Sequence, residues 1–253
     1  MTIPPRAQPA DGPAGYTYAV VLVRLDEPAR TPDDVLADLR EIRFSGWVAP
    51  PEDGWLVVVP LSGAGTVATG RRGVVGLGEW LADRRGSTVL AARVVDDRQL
   101  LLVAWADGEE IGRYLSDPSH GTDPDEEILS EPFGTEYAEG FAAACGHPDA
   151  GEELGELLAE ELDPDSVIES ERLGRVLRLL EMPRWPVAVA SLPRNMPTGP
   201  RVREMTRLRT GVPGPWGWLR GRVVEPVRRR RPPPPAVTDA PRGQGGGMDP
   251  WLM

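Results

Sequence analysis

The stretch TVLAARVVDDRQLLLVAWADGEEIGRYL, residues 88–115, decides the fold. Its three apolar runs, 88–95, 100–106 and 110–115, are separated by short turn signals at Asp96-Asp97 and at Asp107-Gly108. Asp and Gly accept the left-handed backbone of tight turns, so strands joined this closely are antiparallel neighbours. The stretch predicts a meander.

Working upstream, residues 74–85 predict a helix stopped by Gly86, with Leu77, Trp80 and Leu81 on its buried side. Residues 47–49 and 55–59 flank the turn-forming cluster Pro50-Pro51-Glu52-Asp53-Gly54 and predict a hairpin. Before them, Thr31 is suited to cap a helix that has Pro32 in its first turn. Asp33 and Asp34 complement its dipole, and Val35, Leu36, Leu39 and Ile42 make its apolar face. Residues 16–25, aromatic and β-branched without helical spacing, read as a buried strand. The order β-α-β-β-α-β-β-β defines an α+β class: a mostly antiparallel sheet with covering helices, spanning 16–116 behind a disordered N-terminus of residues 1–15.

Working downstream, residues 117–132 predict an exposed acidic loop, and three apolar stripes place helices at 135–145, 148–162 and 166–181. The acidic helical segment, 117–210, is expected to pack on the body. Residues 185–192 form a short apolar run between prolines, either a final strand or a packing arm. From 211 to 253 Pro, Gly and Arg dominate, and Arg228 to Arg231 run directly into Pro232 to Pro235, so a disordered basic tail is expected.

Charge follows the same division. Residues 107–171 hold 21 acids and one Arg, whereas 201–253 hold 11 Arg and four acids, within a net charge of −11. All 28 basic residues are Arg, which excludes lysine chemistry such as a Schiff base or a P-loop lysine. Cys145, the single cysteine, excludes an intrachain disulfide and a cysteine-built metal site. With no signal-peptide core and no membrane-length apolar run, a cytoplasmic protein is expected.

Candidate chemistry is sparse. The loop from Ser62 to Gly73 follows an apolar strand and precedes a helix, where Gly63 and Gly65 would let backbone amides cradle a phosphate and Arg71 and Arg72 would neutralise it. Arg72, Gly76 and Gly78 also resemble the acetyl-CoA pyrophosphate loop of the N-acetyltransferase superfamily, departing by one residue and by a long loop after the preceding strand. Cys145 and His147 are close in sequence, yet Cys145 falls on an apolar helix face, where a thiol is inert. Asp117, Asp123, Asp125, Glu126 and Glu127 lack calcium-loop spacing. In the tail, Trp216, Leu219, Val223 and Val227 recur near helical spacing among arginines, suited to an acidic protein surface, a membrane surface or nucleic acid. Arg229, Pro232 and Pro235 match a generic polyproline ligand.

No catalytic residue, metal or cofactor is assigned. The expectation is a non-enzymatic, cytoplasmic protein-interaction or regulatory module whose acidic segment meets a basic protein. The alternative is a nucleotide- or CoA-dependent transferase using the glycine-rich loop at 62–73.

Overall fold

The computed structural model describes residues 15–26, 30–61, 73–84, 86–118, 131–161, 168–194, 196, 198–219 and 222. The α+β class is as expected. The first half runs β1 (Tyr18–Arg24), α1 (Pro32–Glu41), β2 (Gly46–Val48), β3 (Trp55–Pro60), α2 (Val74–Asp83), β4 (Val89–Val95), β5 (Gln99–Ala106) and β6 (Glu109–Leu115). Helices α3 (Ala138–Cys145), α4 (Gly151–Ala159) and α5 (Glu169–Leu179) follow, and strands β7 (Thr206–Arg209) and β8 (Val212–Pro213) return the chain to the sheet.

All eight strands join one antiparallel sheet in the order β6-β5-β4-β1-β3-β2-β7-β8. Two-residue turns set the register of three hairpins. Asp53-Gly54, Asp107-Gly108 and Thr210-Gly211 all have positive φ at both residues, the geometry whose twist matches paired strands.

The central strands are buried on both faces, which is why they read as continuous apolar runs and not as alternation. Tyr18, Val20 and Leu22 point to one face, and Val21 and Val23 to the other. Helices α1 and α2 cover the second face through Val35, Leu39, Ile42, Leu77 and Leu81. The first face is covered by α3, α4 and α5, through Phe141, Leu154, Leu158, Leu173 and Val176. Local chemistry agrees with the sequence at α1, where Thr31 and Asp34 form a capping box ahead of Val35.

Two expectations change in the C-terminal third. Residues 185–192 form no strand: Trp185–Ser191 is a 3-10 helix packing Trp185 and Val189 into the core. The tail expected from residue 211 begins one strand too early, because β8 pairs with β7 and β7 pairs with β2. Gly211 donates its amide to the Phe44 carbonyl at 2.7 Å and Thr210 donates to Ser45 Oγ at 2.9 Å, tying this hairpin to the end of α1. The chain then makes a helical turn over 214–219. Apart from Arg222, the rest of the expected tail lies outside the described residues, as do residues 1–14 and most of the acidic loop. Among the described residues, no helix is long and apolar enough to cross a membrane.

Candidate functional site

The acidic layer is pinned to the β6 edge before it turns into helices. Phe133 and Leu115 exchange both backbone hydrogen bonds at 2.9 Å. Gly134 then takes φ of +86°, where a Cβ would lie 1.7 Å from the Arg113 carbonyl oxygen. The Tyr137 ring lies against β6 at Gly112, whose missing Cβ would fall 2.2 Å from that ring. Helix α3 ends in a Schellman motif. Gly146, at φ +92°, donates to Ala143 and His147 donates to Ala142, which turns the chain through a 3-10 turn at Pro148–Ala150 into α4.

Apolar side chains of α3 and α4 face the sheet, so their carboxylates must face water. Glu131, Glu136, Glu139, Asp149, Glu152, Glu153, Glu156, Glu160 and Glu161 are all exposed, and no Arg occurs between 131 and 161. Among the described residues, Glu160 is the member of this group that is ion-paired, with Arg175 of α5 at 2.6 Å. Phe133, 54 % exposed, and Tyr137 stand at the rim of the same face.

Beside this face opens a cleft of about 880 Å³. One wall is Arg24, Asp26 and the β2–β3 turn; the other is Cys145, His147 and the chain leaving α5, from Arg178 to Trp185. Trp185 closes its floor by donating its indole N–H to Glu52 Oε2 at 3.0 Å. Arg24 reaches the α3 terminus because Gly146 leaves room; a Cβ there would sit 2.8 Å from the guanidinium. A second hollow of about 430 Å³ continues past His147 to Asp149 and Glu153, linking the cleft to α4.

The cleft does not assemble a nucleophile. Cys145 is buried, and burial pushes its thiol up to about 12 against the opposing pull of Arg24, so it stays protonated at neutral pH. Among the described residues, no three His, Cys, Asp or Glu side chains are grouped to hold a metal ion.

A separate charged cluster is closed to solvent. Arg172 and Glu169 of α5, both 3 % exposed, lie 3.7 Å apart. Arg172 also donates to Tyr114 Oη and to the Glu160 carbonyl oxygen. Tyr114 donates to the Leu158 carbonyl oxygen at 2.9 Å, Tyr18 donates to Ser170 Oγ at 2.9 Å, and Asp97 Oδ1 accepts the Ser170 amide at 2.7 Å. Desolvation raises the Glu169 carboxyl above the usual range, opposed by a hydrogen bond to Ser116 and by the Arg172 charge. This seam fastens α5 to the sheet. On the other face Arg30, 1 % exposed, donates to the Leu81 carbonyl oxygen at 2.9 Å and to Ser87 Oγ at 3.1 Å, with Asp38 at 3.6 Å. Sequence reasoning missed both arginines: Arg172 sits in an amphipathic helix, where an Arg reads as surface, and Arg30 in the connection just before the Thr31 cap, where it reads as loop.

Of the residues singled out for phosphate binding, Gly63, Gly65, Arg71 and Arg72 lie outside the described residues, as do Asp123, Asp125, Glu126 and Glu127. Gly76 and Gly78 fall inside α2, and Gly78 lies against Trp105, where a Cβ would be 2.5 Å from the ring. Gly78 therefore has a packing role. Comparison with protein-family models, curated proteins and solved structures finds no match.

Proposed function

We propose that this protein is a non-enzymatic interaction module whose α3–α4 face receives a cationic segment of a partner protein. The observation behind this reading is the run of nine exposed carboxylates over residues 131–161 without one intervening Arg. Each like charge raises the energy of its neighbours, and an arriving cationic surface relieves that repulsion while being steered toward it. Phe133 and Tyr137 at the rim add apolar contact that a purely solvating face lacks.

The test is affinity capture with the full chain against a variant carrying Glu139→Gln, Glu152→Gln, Glu153→Gln and Glu156→Gln. These side chains are solvent-exposed, so the variant should keep its melting temperature. The reading expects a partner of positive net charge that the wild type retains and the variant loses, with affinity falling steeply as salt rises. Identical retention by both proteins refutes it.

A further inference from the structure

At the edge of the sheet opposite the anionic face, the chain presents a different surface. Helical residues 214–219 fold back on the β7–β8 hairpin at Gly217, where a Cβ would lie 2.0 Å from the Val212 carbonyl oxygen and 3.6 Å from Arg209 Cβ. Only glycine permits that approach, so Gly217 fixes which side of the turn faces inward. At about 100° per residue, Trp218, Leu219 and Trp216 then cover a continuous outward arc of about 160°, centred opposite Gly217. They are 44 %, 53 % and 75 % exposed, the largest cluster of exposed apolar side chains among the described residues.

The surrounding charge is cationic. Arg222 stacks over the Trp218 ring at 4.1 Å, and Arg207 stacks over Trp47 at 4.7 Å on the same face of the sheet as Arg209. Within 201–222 six arginines face a single acid, Glu204. We infer that this edge, with Arg222 stacked on the outward ridge of Trp216, Trp218 and Leu219 and with Arg207 and Arg209 on the strand beneath it, docks on an anionic lipid surface. Indole rings partition to the headgroup level, where apolar and polar surroundings meet, and guanidinium groups pair with lipid phosphates and carboxylates. A convex ridge suits a fluid interface that deforms around it, whereas a folded partner would have to offer a matching groove.

The sheet order makes docking compatible with a net charge of −11. β6 and β8 are opposite edges, separated by seven inter-strand steps of about 4.8 Å, roughly 34 Å in all. That is about four Debye lengths at physiological salt, so the anionic face adds little repulsion to a membrane held at the β8 edge. The protein would sit with its acidic face directed away from the lipid.

The experiment is vesicle sedimentation with the full chain, comparing pure phosphatidylcholine vesicles with vesicles also containing phosphatidylserine. Binding is expected only to the anionic vesicles. It should fall by at least about tenfold in Trp216→Ala/Trp218→Ala/Leu219→Ala and, separately, in Arg207→Gln/Arg222→Gln. All five side chains are exposed, so unchanged circular dichroism and melting temperature will confirm folding. Equal binding to neutral vesicles, no binding to either, or wild-type binding by the triple variant overturns the inference. So does sedimentation-velocity evidence that the same substitutions abolish self-association of the free protein, which would make a second copy the occupant. None of these outcomes depends on the α3–α4 face.

Discussion

Replacing Arg172 by Met strands the Glu169 carboxyl in the seam between α5 and the sheet. The loss has two parts. The hydrogen bonds to Tyr114 Oη and the Glu160 carbonyl disappear, but Tyr114 keeps the Leu158 carbonyl and Glu160 lies at the surface. This part costs about 1–2 kcal/mol at any pH. The second part is the buried carboxylate, which can always escape by taking up a proton. Its penalty at pH 7 therefore cannot exceed the cost of protonating an ordinary Glu, about 1.36 × (7 − 4.3) ≈ 3.7 kcal/mol. The wild type already bears some of this cost, because burial raises its own Glu169 pKa. Arg172→Met should consequently lose about 3–5 kcal/mol at pH 7, the range for breaking a buried ion pair. A carboxyl whose folded pKa exceeds its unfolded one stabilises fully below the unfolded value and loses that contribution as pH rises through the folded value. The deficit of the variant should thus shrink on acidification, by up to about 2.7 kcal/mol between pH 7 and pH 5. Urea unfolding at both pH values measures this, and Glu169→Gln/Arg172→Met should recover most of the pH 7 loss. A deficit that does not change with pH, or a double variant no more stable than the single one, would refute the reasoning.

Arg30→Ala should cost about 3–5 kcal/mol by leaving Asp38 buried beside an empty site and the Leu81 carbonyl without its donor, read by thermal or urea denaturation. Gly78→Ala drives a Cβ into the Trp105 ring and should destabilise by about 1–3 kcal/mol although alanine is the better helix former; a stabilised variant would show that α2 can move away. At pH 8 the Cys145 thiol, with its pKa pushed up to about 12, is thiolate in only about one molecule in ten thousand. It should resist an aromatic disulfide reagent in the native protein and react fully once the chain is unfolded.

The order of the first eight elements was legible because each has a local cause: Thr31 with Asp34 at a helix start, Asp-Gly pairs at hairpins, apolar runs of strand length. The α3, α4 and α5 helices were legible from their stripes, though the sequence placed their ends up to three residues too far out. The β7–β8 hairpin was missed because its Gly and Pro content resembles that of the chain after it, while its signal, the Thr210-Gly211 pair, is a single dipeptide. What makes it a strand pair is β2, about 160 residues earlier. The cleft and the buried seam share this difficulty. Glu52 and Trp185 are 133 residues apart and Tyr18 and Ser170 are 152 apart, so no window along the chain contains both partners.

The late arrival of β7 has a consequence for biosynthesis. β2 has only three residues, includes Trp47, and is hydrogen-bonded on one side to β3 and on the other to β7. On the ribosome, β1 to β6 emerge long before Thr206, so nascent chains pass through a stage with an open β2 border and an uncovered indole. Ribosome-stalled or prematurely terminated products ending before β7 should therefore be the species that clump in the cell and engage chaperones.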